Sequence, residues 1–283
     1  MGGVSLAASG QARKSSCPAC LEWNRPQKPF RIFGNTYYVG THGLSAVLIT
    51  SDKGHILIDG DLPESVPLIV DSIRSLGFRI EDVRIILNSH VHYDHAGGIA
   101  ELQRLSGARV LASPWSAAFM RTGGPGRSDP QFHGGVKIAP VRNVHEVRDG
   151  ETVSIGSNLL RAHFTPGHTP GGTSWTWKAC EGEMCHDIVY ADSLTPVSSG
   201  AFRYSRDYPH VVEVFEKSFT FLEKTPCDIL ISTHPDASGL WDRLEGREKG
   251  ISPDPMVSSS ACRDLAERGR ANLRERLAGE HKK

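Results

Sequence analysis

Four residues able to bind a metal ion fall within six positions: His90, His92, Asp94 and His95, in the stretch SHVHYDHAGG. Imidazoles this close repel one another once protonated, and one carboxylate among them offsets only part of that. A cation shared by neutral rings removes the conflict. Three later segments offer the same chemistry: HFTPGHTPGG with His168, YADSLT with Asp192 and Ser193, and ISTHP with His234. Histidine and carboxylate are zinc ligands, and three protein ligands plus water make an open, catalytic site. The set is too large for one such ion. Residues two apart in a turn converge while their neighbours diverge. His90, His92 and His168 are therefore assigned to one metal, and Asp94, His95 and His234 to a second. Two ions roughly 3.5–4 Å apart could share a hydroxide and clamp both ends of an acyl substrate. A single histidine after a strand is usually a surface or hydrogen-bonded residue, and the weight here comes from the company these keep. His42, His55, His133, His145 and His210 have no such company and are read as structural.

The elements around these residues explain why they would meet. SAVLIT and GHILIDG flank the turn-like SDKG and predict a hairpin. PESVPLIVDSIRSLG places Val66, Ile69, Val70, Ile73 and Leu76 on one helical face, with Pro63 near its start and Gly77 near its end. VRIIL is a short buried strand, and GGIAELQRLSG a helix with Ile99, Leu102 and Leu105 in step. SNLLRAHF, DIVYA and DILIST are further strands. PHVVEVFEKSFTFLEKT is a helix carrying Val212, Phe215, Phe219 and Leu222. SACRDLAERGRANLRERLAGE is a charged helix with Leu265, Leu273 and Leu277 inward. Each candidate ligand follows a strand by a few residues, and ligands beyond strand ends are typical of α/β sites. Residues 122–135 and 236–260 are rich in Gly, Pro and polar residues and read as long surface loops, the kind that often wall a pocket.

The chain has 283 residues, 39% of them hydrophobic, enough for a sizeable core. Lys plus Arg and Asp plus Glu both number 32, a balance that gives no hint of nucleic acid or an anionic membrane as partner. No run of 18 apolar residues exists, so no membrane span is expected. The start, MGGVSLAASGQARKSS, lacks the apolar core of a signal peptide and reads as a loose tail or processed remnant over residues 1–20, with one catalytic domain over 21–283. Six cysteines fall as Cys17/Cys20, Cys180/Cys185 and Cys227/Cys262. Spacing alone leaves disulfides and a four-cysteine zinc knuckle open, and disulfides would place the protein outside the reducing cytosol.

SHVHYDHAGG, TPGHTPGGTSW, YADSLT and STHP, in order across residues 30–280, resemble the metal motifs of the metallo-β-lactamase superfamily. The chain is most similar to subclass B3, which uses three histidines at the first metal and Asp, His, His at the second. Ser193 in DSLT, where other subclasses carry a cysteine ligand, fits B3, as do GNTYYVGT, DPQF and the Cys227/Cys262 pair. The resemblance implies a four-layer αβ/βα sandwich: two mixed β-sheets packed face to face, helices on the outer faces, and metals at one sheet edge. It also implies a bacterial enzyme, periplasmic or secreted, its signal peptide absent from this sequence; a monomer is expected. The reaction implied is hydrolysis of the β-lactam amide of penicillins, cephalosporins and carbapenems. Two Zn2+ would act through a bound hydroxide that Asp94 orients, with no covalent enzyme intermediate. Consistently, no Ser-x-x-Lys and no Gly-x-Ser-x-Gly occurs.

Ser193 and Thr195 alternate in an extended segment, so both hydroxyls face one side. The resemblance places them by the substrate carboxylate, with Gln131 over the opposite side of the pocket. It also implies the bridges Cys180–Cys185 and Cys227–Cys262 and leaves Cys17–Cys20 unassigned. Some relatives pair an N-terminal cysteine with one in the segment matching VGTHGLSA, where this chain has His42. Three other readings compete: a thioesterase or lactonase of the same superfamily, in which the aspartate matching Asp192 bridges both metals; a non-catalytic metal-binding protein; and a nuclease. Ser193, DPQF and the cysteine pairs favour the β-lactamase, and open ligand positions count against a purely structural metal site. The charge balance counts against a nuclease.

Overall fold

The computed structural model describes residue 17 and residues 19–124, 126–132 and 137–280. The readings for residues 1–16, residue 18 and His133 lie outside them. One sheet has seven strands, in spatial order β1 (Phe30–Phe33), β2 (Thr36–Tyr38), β3 (Val47–Ile49), β4 (His55–Ile58), β5 (Val83–Leu87), β6 (Arg109–Ala112) and β7 (Val144–Glu146). Its first four strands pair antiparallel and its last four parallel. The second sheet has β8 (Thr152–Ile155), β9 (Asn158–Phe164), β10 (Thr173–Glu181), β11 (Met184–Ala191) and β12 (Ile229–Ser232), antiparallel except for the β11/β12 pair. The helices are α1 (Cys20–Trp23), α2 (Val66–Ser75), α3 (Tyr93–Ala96), α4 (Ile99–Ser106), α5 (Pro114–Thr122), α6 (Tyr204–Asp207), α7 (Val211–Lys224), α8 (Leu240–Glu248) and α9 (Ala261–Glu280).

Side-chain alternation along the strands builds the layers. In β4, Ile56 and Ile58 point into the space between the sheets, where they meet Trp175, Trp177, Ile188 and Tyr190 of the second sheet. Leu57 points the other way, toward Val66, Ile69 and Ile73 of α2 and Leu102 of α4. Strands covered on both faces read as continuous apolar runs, which is why VRIIL and HILI show almost no polar residue. On the far side, Val189 and Leu230 face Phe215, Phe219 and Leu222 of α7 and Leu265 and Leu273 of α9. Each of these side chains contributes roughly 1.5–3 kcal/mol by leaving water. The result is the expected four-layer αβ/βα sandwich with two mixed sheets.

Several expectations change. Residues 236–260 are not one loop: a short 3-10 turn over Pro235–Ser238 leads directly into α8. That helix was illegible because its exposed face is charged and little apolar periodicity remains. In α7 the inward residue is Val211, while Val212 is 47% exposed. Both positions lie one turn before Phe215, and only the packing against α9 chooses between them. The loop after α5 turns inward at Asp129 and Pro130, which are both buried. Cys20 begins α1 and packs with Leu44 and Leu62. All three cysteine pairs are disulfides, including Cys17–Cys20, and no free cysteine remains among the described residues. The bridges fit a location outside the reducing cytosol. Among the described residues no helix is long and apolar enough to cross a membrane. His42 stacks on Trp241 and His55 meets the edge of Phe78, both ordinary packing roles.

Candidate metal centre

The C-terminal ends of strands from both sheets meet at one edge, and each delivers a ligand candidate just beyond its last residue. His90 and His92 follow β5. His92 then caps α3, so that Asp94 and His95 leave the first turn of that helix. His168 lies in the turn between β9 and β10, and His234 two residues past β12. The glycines of HAGG let the chain pass closely over its neighbour: a Cβ on Gly98 would stand 2.2 Å from the Gly60 carbonyl oxygen.

The rings of His90, His92 and His168 are mutual neighbours, with centroids 4.7–4.9 Å apart. His95 stands 4.4 Å from His90 and 4.9 Å from His234. Asp94 Oδ2 lies 3.3 Å from Nε2 of both His95 and His234. Donor atoms of His90, His92 and His168 lie within 4.8 Å of one another, and so do those of His90, Asp94 and His95. All six expected residues therefore converge, in two overlapping groups that share His90 as a near neighbour.

Most of the rings are held from behind. Asp192 Oδ1 lies 2.6 Å from His90 Nδ1. The Thr195 carbonyl accepts from His168 Nδ1 at 2.7 Å, and the Gly43 carbonyl is 3.1 Å from His234 Nδ1. Both oxygens of Asp129 stand 3.1 Å from His92 Nε2. Partners on the outer nitrogen of a histidine orient it for a metal on the other. His90 Nε2 and both ring nitrogens of His95 are buried with no hydrogen-bond partner. Buried polar atoms are ordinarily satisfied, so these orphans are what a cation would complete, and the nitrogen-rich donor set suits zinc.

Electrostatics agree. Burial, reinforced by the neighbouring rings, pushes His90 well below its ordinary range. Burial and His92 pull His168 down to about 3. Burial alone would raise Asp94, yet His95 and His234 hold it well below the usual carboxylate range. Burial lowers His234, but its bond to Asp94 overcomes that and leaves it raised.

Beneath the cluster, Asp59 at the end of β4 ties the loop down. It accepts from Ser89 N–H at 2.8 Å, Ser89 Oγ at 2.6 Å, Asn88 Nδ2 at 3.2 Å and Tyr190 Oη at 2.8 Å. Sequence reasoning missed Asp59, although it follows a strand as the ligands do. It also missed Asp129, which sits inside the noticed DPQF. Asp192 is committed to the outer nitrogen of His90 through Oδ1, and a Cβ on Gly172 would lie 2.3 Å from its Oδ2.

The three expected substrate contacts are all near the cluster. Ser193 Oγ pairs with Thr233 Oγ1 at 2.8 Å, and Thr195 Oγ1 is 3.3 Å from His168 Nδ1. Gln131 Nε2 is 3.3 Å from His92 Nδ1 and 3.5 Å from His168 Nε2. A cavity of about 450 Å³ adjoins the second group, lined by Ser193, Thr195, Thr233, His234 and residues of α9.

Fold and site together define a class: an αβ/βα sandwich with a histidine-rich candidate metal centre at one sheet edge. Comparison with known proteins narrows it. The profile described as the metallo-β-lactamase superfamily matches residues 39–234. Rm3 metallo-β-lactamase is 52% identical with a TM-score of 0.91, over 94% of this chain and 100% of that one. MEM-A1, a subclass B3 metallo-β-lactamase isolated from a soil metagenome library, is 50% identical with a TM-score of 0.89, over 92% of this chain and 99% of that one. Hydroxyacylglutathione hydrolases also match: that of Bradyrhizobium sp. (strain ORS 278) at 29% identity over 50% of this chain and 46% of its own length, and that of Maricaulis maris (strain MCS10) at 35% over 44% and 42%. The chain spans about half the length of these curated relatives. The chain belongs to the metallo-β-lactamase superfamily and, within it, to the subclass B3 hydrolases.

Proposed function

We propose that this enzyme hydrolyses the amide bond of β-lactams, including carbapenems, with two zinc ions: one on His90, His92 and His168, the other on Asp94, His95 and His234. The observation that carries the reading is the buried convergence of two donor sets, with orphaned ring nitrogens, in a subclass B3 chain. Zinc there would supply Lewis acidity toward the lactam carbonyl and a water whose pKa falls toward about 7.

The chain's own residues do the rest. Asp94, ionised at neutral pH, accepts a hydrogen bond from the attacking water and aims its lone pair at the carbonyl carbon. Its depressed pKa makes it an acceptor rather than a proton store. Asp192 and the Thr195 carbonyl hold His90 and His168 by their outer nitrogens. Ser193 and Thr195 donate to the substrate carboxylate from one side of the pocket, and the Gln131 amide closes the other. The adjoining cavity is of ordinary size for a small-molecule site. Two dications against one ligand carboxylate leave the site net positive, which suits an anionic substrate. We read residues 21–283 as one catalytic domain acting as a monomer, and the three disulfides as favouring the bacterial periplasm or the secreted space.

The test is purified protein against a chromogenic cephalosporin, a penicillin and a carbapenem, with and without chelator. Turnover should vanish with the chelator, return with zinc, and be indifferent to clavulanate-type inhibitors, which need a nucleophilic serine. Brisk hydrolysis of a glutathione thioester or a lactone, with no β-lactam turnover, would reverse the reading.

A further inference from the structure

Asp129 has no exposed surface and sits in a tight turn after α5. Its N–H donates to the Gly126 carbonyl at 2.9 Å, and its own carbonyl accepts from Phe132 N–H at 3.0 Å. Its carboxylate has two tasks at once. Both oxygens face His92 Nε2 at 3.1 Å, and Oδ1 also accepts the main-chain N–H of Gln131 at 2.7 Å.

His92 is held the opposite way round from its neighbours. His90 and His168 meet their outer partners with Nδ1, whereas His92 meets Asp129 with Nε2 and turns Nδ1 toward His168 Nε2, 3.1 Å away. A neutral imidazole carries a single N–H, and an ionised carboxylate only accepts. The proton of His92 is therefore drawn to Nε2, and the lone pair is left on Nδ1 inside the cluster.

We propose that Asp129 is a positioning residue that selects the Nε2–H tautomer of His92 and, through the same carboxylate, locks the main chain of Gln131 to it. The wall of the pocket that carries Gln131 is then mechanically tied to the metal-facing nitrogen of His92. The metal half of this proposal rests on the reading of His92 as a ligand. The tautomer half does not.

Two measurements test it. Long-range 1H–15N NMR of the metal-free wild type near neutral pH should show His92 protonated at Nε2. Protonation at Nδ1 there overturns the proposal without any variant. In Asp129→Asn the acceptor for Gln131 N–H is kept, but an amide N–H now faces His92 Nε2 and favours the proton on Nδ1. That variant should shift the His92 tautomer and lower zinc affinity in chelator competition by about 10–100-fold, the usual cost of losing such an orienting partner. Amide exchange of Gln131 should accelerate in Asp129→Ala, with far-UV CD reporting whether the fold is kept. An unchanged tautomer or an unchanged zinc affinity in Asp129→Asn sinks the idea. Wild-type protein that binds no zinc at all would instead defeat the metal reading, and the tautomer result would still decide the role of Asp129.

Discussion

His168 and His234 face the same cluster with opposite titration behaviour. His168, pulled to about 3 by burial and by His92, stays neutral far below the pH at which an ordinary imidazole charges, keeping only the Nδ1 proton that the Thr195 carbonyl accepts. His234 is raised by Asp94 against the lowering effect of burial, so it takes up its second proton at a higher pH than an ordinary imidazole, and that proton competes with a cation for Nε2. The sign follows: acidification should strip metal first from the group containing His234. Below the pKa of His234 the affinity should drop about tenfold per pH unit. Equilibrium dialysis with zinc, using His92→Ala to retain the second group and Asp94→Ala to retain the first, measures each alone. Equal pH dependence in the two variants would show the assignment to be wrong. At the same scale, Ser193→Ala combined with Thr195→Val should raise KM about tenfold or more across β-lactams, because a hydrogen bond to a charged group is worth roughly 1.5–3 kcal/mol. Binding that is equal in ground and transition states appears in KM rather than kcat, so kcat and zinc content should be nearly kept. Loss of zinc in the double variant would show that the local bond of Thr195 to His168, and not substrate anchoring, is its main role.

Among the elements, β12 and α9 depend on each other. β12 delivers His234, and α9 covers the second sheet and lines the cavity beside Ser193. The Cys227–Cys262 bridge joins the approach to β12 to the first turn of α9, across a separation of 35 residues. In the chain-entropy model a loop of that length contributes about 3–4 kcal/mol. Cys227→Ser with Cys262→Ser should lower the urea-derived unfolding free energy by about that amount. A change below about 1 kcal/mol would mean that the packing of Phe219, Leu265 and Leu273 already holds the helix without help. The bridge was legible from the resemblance, whereas α8, between the two cysteines, was not, because its stability comes from what it covers rather than from its own pattern.

At the scale of the whole molecule, the site exists only because two sheets are held in register at one edge. Tyr190 is a direct link. It projects from β11 of the second sheet, and its single hydroxyl proton lies between two acceptors on the side of the first sheet, Asp59 Oδ2 at 2.8 Å and the Ser45 carbonyl at 2.7 Å. Asp59 in turn holds Ser89, the residue before His90. Tyr190→Phe keeps the ring in the core and removes only that hydroxyl. Leaving a buried carboxylate short of a donor costs roughly 1–3 kcal/mol, so the midpoint of urea unfolding should fall accordingly, and zinc affinity with it. Unchanged stability and zinc affinity would show that the sheets are aligned by apolar packing alone.

The sequence by itself determined which candidate ligands gather at the site. His90, His92, Asp94 and His95 are close in the chain, and spacing over a few residues is translated by local backbone geometry into a cluster whatever the rest does. His168 and His234 were legible for a related reason: each stands just past an apolar strand, and strand ends of an α/β fold gather at one edge. What holds these residues was decided only by the tertiary structure. Asp129 reaches His92 across 37 positions, Asp192 reaches His90 across 102, and Tyr190 reaches Asp59 across 131. No periodicity or spacing encodes such pairs, because their geometry depends on how two sheets and a loop pack together. The choice of which nitrogen each histidine presents is of this second kind. A ring's tautomer is set by the group behind it, and the chain brings that group from far away.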